Sequence, residues 1–168
     1  MLTVYSDFHR LHDSTYELYG GIMVPPHEMP RRADIILDRI KSENLGSIIN
    51  PEDFGMGPIE RIHDKEFLKF LESVWDRWTK IEGYEGEVIP TVWPSRRINS
   101  NRIPHFPEGA AGYYALSAET SINSGTWKAA YTSAQVSLTA QKAISVDGQR
   151  AAFGLCRPPG HHAAADMY

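Results

Sequence analysis

Seven apolar side chains between Phe67 and Ile81 lie on one helical face: Phe67, Phe70, Leu71, Val74, Trp75, Trp78 and Ile81. Asp64 stands where an N-cap belongs, with Glu66 in the first turn, so the spacing predicts a helix over residues 64–81. A stripe this wide and aromatic is a packing surface, and it obliges the chain to build a second layer against it.

The rest of the chain supplies shorter elements. Residues 2–5 read as an opening strand, and 7–30 as a long loop containing Gly20-Gly21 and Pro25-Pro26. Ala33, Ile36, Leu37 and Ile40 give residues 31–44 an amphipathic helical pattern, and Ser47-Ile48-Ile49 reads as a short strand. Helices are expected over 109–122 and 126–145, the second with Ala130, Ala134, Leu138 and Ala140 or Gln141 on successive turns. Ala151 to Cys156 reads as a short buried strand. Strand and helix signals in alternation favour an α/β fold with a parallel sheet. Between them, residues 83–109 carry Pro90, Pro94, Pro104 and Pro107 with Trp93 and Phe106, a long irregular stretch that needs a partner subunit or a site to cover.

Composition narrows the function. The 168 residues are 42% apolar and 23% charged, with a net charge of -4, which offers no platform for a phosphate backbone, so no nucleic acid is expected. No apolar run is long enough for a membrane span, and the N-terminus lacks a signal-peptide pattern. The single cysteine, Cys156, fits a reducing, cytoplasmic setting; in an apolar strand with no base nearby in sequence, it reads as inert.

The chemistry concentrates at Arg157-Pro158-Pro159-Gly160-His161-His162. A rigid turn holding two adjacent imidazoles suits paired proton transfer, and a site beyond the carboxyl end of a parallel strand is where ligands collect. A pair of exposed loop histidines is the alternative. Adjacent residues on extended backbone point apart, so the spacing is not that of a zinc site. His63, just before the helix, reads as structural.

Arg157 to Ala163 resembles the histidine-pair motif of the zinc-dependent deacetylase superfamily, which includes histone deacetylases and acetylpolyamine amidohydrolases. Glu17-Leu18-Tyr19-Gly20-Gly21, Val24-Pro25-Pro26, His63-Asp64, Trp75-Asp76-Arg77-Trp78, Arg102-Ile103-Pro104, Gly112-Tyr113-Tyr114 and Ala118-Glu119-Thr120 are similar to the polyamine branch. The resemblance implies an arginase/deacetylase-like three-layer α/β fold with a central parallel sheet, present here as its N-terminal half. It implies hydrolysis of an acetamide on a small cationic acetylated polyamine, with zinc or iron as cofactor. His162 would be the general base and His161 its electrostatic partner. Glu17, Tyr19, Glu108 and Glu119 would bind substrate, each glutamate having a solvated surface role as its alternative. Arg32 matches an arginine beside an internal cavity, or is a surface residue. The 83–109 loop resembles one that reaches across a homodimer.

The same resemblance marks what to look for elsewhere. The family's metal ligands, an Asp-X-His pair and a second Asp, fall downstream of the histidine pair, so no metal ligand is expected among these residues. Asp7-Phe8-His9 has the spacing but follows the first strand. The chain is therefore expected to be about half of an enzyme and inactive alone, with its histidines beside a cavity. A broader acyl-lysine or acetylamide deacetylase, and a non-catalytic dimerisation module, are the rival readings.

Overall fold

The computed structural model describes residues 1–97 and 100–168. In chain order the elements are β1 (Leu2–Val4), β2 (Glu17–Tyr19), β3 (Ile22–Val24), α1 (Pro30–Ser42), β4 (Ile48–Ile49), α2 (Gly57–Glu60), α3 (Lys65–Trp78), α4 (Pro107–Tyr114), α5 (Thr126–Ser145) and β5 (Ala152–Gly154), with a 3-10 segment over Asp7–Leu11. The chain packs as two compact units, one of residues 1–13, 28–59 and 125–160, the other of 14–27, 60–124 and 161–168.

The first unit is built on a parallel sheet in the order β4-β1-β5. Thr3 lies opposite Ile48 and Phe153, and Val4 opposite Ile49 and Gly154, so each row shares a face of the pleat. Ala33 and Leu37 of α1 pack with Tyr5, Leu155, Ile48 and Phe153 on one side. Helix α5 covers the other: a Cβ at Gly154 would touch Val136 at 3.4 Å and Ala140 at 3.7 Å. These are the helix, sheet and helix layers expected of an α/β fold.

Two details differ from the sequence pattern. Ile36, expected on the buried face of α1, is exposed, while Ala33, Leu37 and Ile40 are buried. On α5 the buried stripe is Thr126, Ala129, Thr132, Gln135, Val136, Thr139 and Ala143, one residue round from the expected alanine row. Polar residues tolerate that burial because they are used. Gln135 Oε1 accepts the Phe54 N–H at 2.8 Å, and Thr139 Oγ1 accepts the Glu52 N–H at 2.9 Å.

The second unit contains the aromatic stripe. Asp64 caps α3, its carboxylate accepting from the Glu66 and Phe67 N–H groups at 2.8 and 3.0 Å. Phe67, Phe70, Val74 and Trp78 are buried against Val88, Ala110, Ala111, Tyr114 and Ile122. Burial of each such side chain is worth about 1.5–3 kcal/mol, which makes this cluster the main stabilising contact of the unit. Helix α4 stops at Tyr114 rather than running to 122, because Ala115 turns extended and Ile122 instead pairs with Val88 as an antiparallel bridge.

The 83–109 stretch therefore has its own unit to pack on. Val88 and Pro90 are fully buried, and Gly112 of α4 sits so close to the Val92 carbonyl that a Cβ would lie 1.6 Å from its oxygen. Val92, Trp93, Ile103 and Phe106 remain exposed. The expected loop over 7–30 is also more ordered than its lack of periodicity suggests. It holds the 3-10 segment and the β2–β3 antiparallel hairpin, whose two-residue turn is Gly20-Gly21 at φ 59° and 83°. Strand β5 is shorter than 151–156, and its residues are half-buried.

Candidate active site around the histidine pair

The turn that presents the histidines is anchored at its first residue. Arg157 is 3% exposed, and Nη1 donates to the carbonyls of His9 at 2.6 Å and His12 at 2.5 Å. Nε donates to Glu28 Oε1 at 3.0 Å, and Nη2 pairs with Glu28 Oε2 at 3.0 Å. One planar cation thus ties the segment after β1 and the entry to α1 to the residue preceding Pro158. The fork geometry suits arginine, since lysine cannot reach four acceptors in a plane.

That buried charge acts on its neighbours. His12 Nδ1 lies 2.9 Å from the Thr126 hydroxyl, and its pKa is lowered to about 4, first by burial and then by the Arg157 charge. The His9 pKa is lowered as well, chiefly by burial, with Arg10 and Arg157 adding to it. His9 Nε2 lies 3.0 Å from the Tyr5 hydroxyl, which donates to Asp7 Oδ1 at 2.8 Å.

Beyond the turn, His161 and His162 are exposed, their ring centroids 4.2 Å apart and tilted by 50°. The segment after them is fastened to its own unit. His63 Nδ1 lies 3.0 Å from the Ala164 carbonyl, and the Asp64 N–H donates to the Ala165 carbonyl at 2.7 Å. Tyr168 exchanges backbone hydrogen bonds with Tyr114 and Leu116, and its ring stacks on Phe70. His63 is thus a clamp on the segment that follows the pair.

Three concavities, of about 180, 460 and 430 Å³, are lined by side chains other than His161 and His162.

The expected substrate residues fall into local groups. Glu17 and Tyr19, two residues apart on β2, come together with His27. Glu17 Oε1 lies 2.5 Å from His27 Nδ1, Oε2 accepts the His27 N–H at 3.1 Å, and the Tyr19 and His27 rings are 6.0 Å apart. Glu108 opens α4, where its carboxylate accepts from the hydroxyls of Thr91 and Tyr84; those bonds lower its pKa and keep it anionic. Glu119 is exposed, its N–H donating to Ser117 Oγ at 3.2 Å. Among the described residues no hydrogen bond or ion pair joins His161 or His162 to Glu17, Glu108 or Glu119. Arg32 is a surface residue, 3.7 Å from Glu28.

Among the described residues no three His, Cys, Asp or Glu side chains converge as a ligand set. Asp7 and His9 do not fit one: Asp7 is 3.7 Å from the Arg10 guanidinium, and His9 is held by Tyr5 beneath two arginines. Cys156 Sγ lies 3.1 Å from the Ser137 hydroxyl. Three contributors carried no role in the sequence reading: Arg157, His27 and Glu28. Arg157 had a signal, a lone cation between an apolar strand and a Pro-Pro turn; the other two had none.

The parallel sheet and the histidine turn are those of an arginase/deacetylase-like α/β domain. The chain belongs to the histone deacetylase domain family, whose match covers residues 26–168. It is 51% identical over 168 residues to acetylpolyamine amidohydrolase 1 of Pseudomonas aeruginosa, covering 99% of this chain and 48% of that protein. To acetylpolyamine amidohydrolase 2 of the same organism it is 46% identical over 166 residues, covering 99% and 47%. The crystal structure of acetylpolyamine aminohydrolase from Burkholderia pseudomallei, from an iodide soak, superposes with a TM-score of 0.90 at 34% identity, covering 100% of this chain and 48% of that one. The arginase/deacetylase-like fold is thereby established. The chain spans about half the length of the curated relatives it matches.

Proposed function

We propose that this chain is the histidine-bearing half of a metal-dependent hydrolase that removes the acetyl group from acetylated polyamines. The observation that carries the proposal is the 51% identity, over nearly all of this chain, with a protein named for that activity. In this reading a water molecule attacks the acetamide carbon and the C–N bond breaks, giving acetate and a free amine. His162 accepts the proton of the attacking water, and His161, packed against it at 4.2 Å, orients its ring. Zinc or iron is the cofactor expected of the family. The described residues do not supply its ligand set, so no step is assigned to it, and the 168 residues alone are proposed to be inactive.

Substrate choice follows from charge. A polyamine that has lost one amine to acetylation keeps ammonium groups elsewhere, and carboxylates orient them through charge-assisted contacts. Glu108, held anionic by two hydroxyls, and the exposed Glu119 are proposed for that role, with Glu17 and Tyr19 on the hairpin. The exposed Val92, Trp93, Ile103 and Phe106 support a homodimer contact through the 83–109 loop. No described helix is long and apolar enough to cross a membrane; a cytoplasmic location is part of the proposal. The test is Glu119→Ala in the full-length, metal-loaded enzyme. Turnover of N-acetylputrescine should fall while that of a neutral N-alkylacetamide holds; an equal fall in both refutes the role.

A second reading has one observation in its favour, the histone deacetylase description of the matching family. It replaces the polyamine by an acetyl-lysine side chain and uses the same histidines.

A further inference from the structure

We infer that His27 is a resident hydrogen-bond partner that masks Glu17, so that it sets how strongly this site selects for cationic substrates. The inference rests on the reading of Glu17 as an ammonium subsite.

Both oxygens of Glu17 are taken by one residue. Oε1 faces the His27 imidazole at 2.5 Å and Oε2 accepts the His27 backbone N–H at 3.1 Å. The arrangement has a local cause. Gly20-Gly21 reverses the chain and pairs Glu17 with Val24, and Pro25-Pro26 then turns His27 back across the start of β2. His27 leans toward Tyr19 on the same side of the strand, 6.0 Å between rings.

The exposures decide which partner covers which. The His27 side chain is 78% exposed and that of Glu17 only 12%. The imidazole is thus an outer cap, and the carboxylate lies beneath it. An incoming ammonium needs a carboxylate oxygen with a free approach, and here it must first push the ring aside. The displaced contact is a solvent-exposed hydrogen bond to a carboxylate, which is weak enough to exchange. A masked carboxylate therefore lowers affinity for every cationic substrate by the strength of the contact it gives up. It leaves neutral acetamides unaffected.

The experiment compares KM for N-acetylspermidine and for a neutral N-alkylacetamide in the full-length, metal-loaded enzyme. Its variants are His27→Phe, His27→Ala and Glu17→Gln. His27→Phe keeps a ring beside Tyr19 and the backbone N–H contact to Oε2 but removes the imidazole contact to Oε1, so it guards against loss of the hairpin. Both His27 variants should lower KM for the polyamine about threefold, with kcat and the neutral substrate unchanged, and Glu17→Gln should raise it. A raised KM in Glu17→Gln with no change in either His27 variant overturns the mask and leaves the Glu17 subsite standing. No change in Glu17→Gln overturns the subsite itself, and the mask with it.

Discussion

Arg157 and Glu28 form a two-point ion pair, Nε to Oε1 and Nη2 to Oε2 both at 3.0 Å, with the arginine almost wholly buried. The pair closes a contact between residues 129 positions apart and sits four residues before His161. Removing one partner of a buried pair strands the other as an uncompensated charge. Arg157→Met is therefore expected to destabilise the chain by about 3 kcal/mol. Arg157→Lys should recover only part of that, since an ammonium cannot fork. Urea unfolding of both, with Glu28→Gln and the double variant, measures the coupling; additive losses contradict it.

Burial of His12, with the Arg157 charge adding to it, makes stability depend on pH. The folded pKa of His12 is about 4, below its ordinary 6.5. Between those values the unfolded chain holds a proton that the folded chain refuses, so stability is full above about pH 6.5 and falls as pH drops toward 4. From pH 7.5 to 5 this group alone accounts for about 2 kcal/mol. His9, shifted the same way by burial, adds in the same direction. Unfolding free energies at the two pH values should show a shallower slope in His12→Gln; an unchanged slope removes His12 as the cause.

Close approach, rather than helix propensity, governs Gly112. In an open helix Gly→Ala gains about 1 kcal/mol. Here the added methyl would collide with the Val92 carbonyl at 1.6 Å, and overpacking costs about 1–3 kcal/mol. Gly112→Ala should therefore lower the melting temperature. Phe70→Ala, which opens a hole between α3 and Tyr114, should cost about 4 kcal/mol. A melting temperature raised in Gly112→Ala would show that the loop yields.

Local signals were legible and distant ones were not. The Asp64 cap and the Phe67, Phe70, Val74 and Trp78 stripe lie within one helix, so spacing alone revealed them. The hairpin at 17–24 escaped notice because each strand has three residues, too few for a period, although its Gly-Gly turn was in view. The row Ala130, Ala134 and Leu138 misled because it ignores that loop N–H groups at 52 and 54 reward buried Thr139 and Gln135. Arg157 was read as part of a motif, yet its partners at 9, 12 and 28 become neighbours only after folding. The two histidines were legible as a pair from their adjacency behind the Pro-Pro-Gly turn.

Their chemistry is separable by substitution. In the full-length, metal-loaded enzyme, His162→Ala is expected to reduce kcat by a factor of about 10²–10⁴, the usual worth of a positioned general base. KM should change little. His63→Ala, which releases the Ala164 carbonyl, should lower kcat by less, because it acts only through the position of the pair. A His162→Ala enzyme with unaltered kcat would assign the proton to another group.

The most direct measurement is the ratio of kcat/KM for N-acetylputrescine and N-acetylspermidine to that for an acetyl-lysine peptide, in the full-length enzyme loaded with zinc or iron. A polyamine deacetylase whose anionic groups read distal ammonium charge should favour the small amines by tenfold or more, about 1.4 kcal/mol of selectivity. A ratio below one, with the peptide turned over faster, would contradict it.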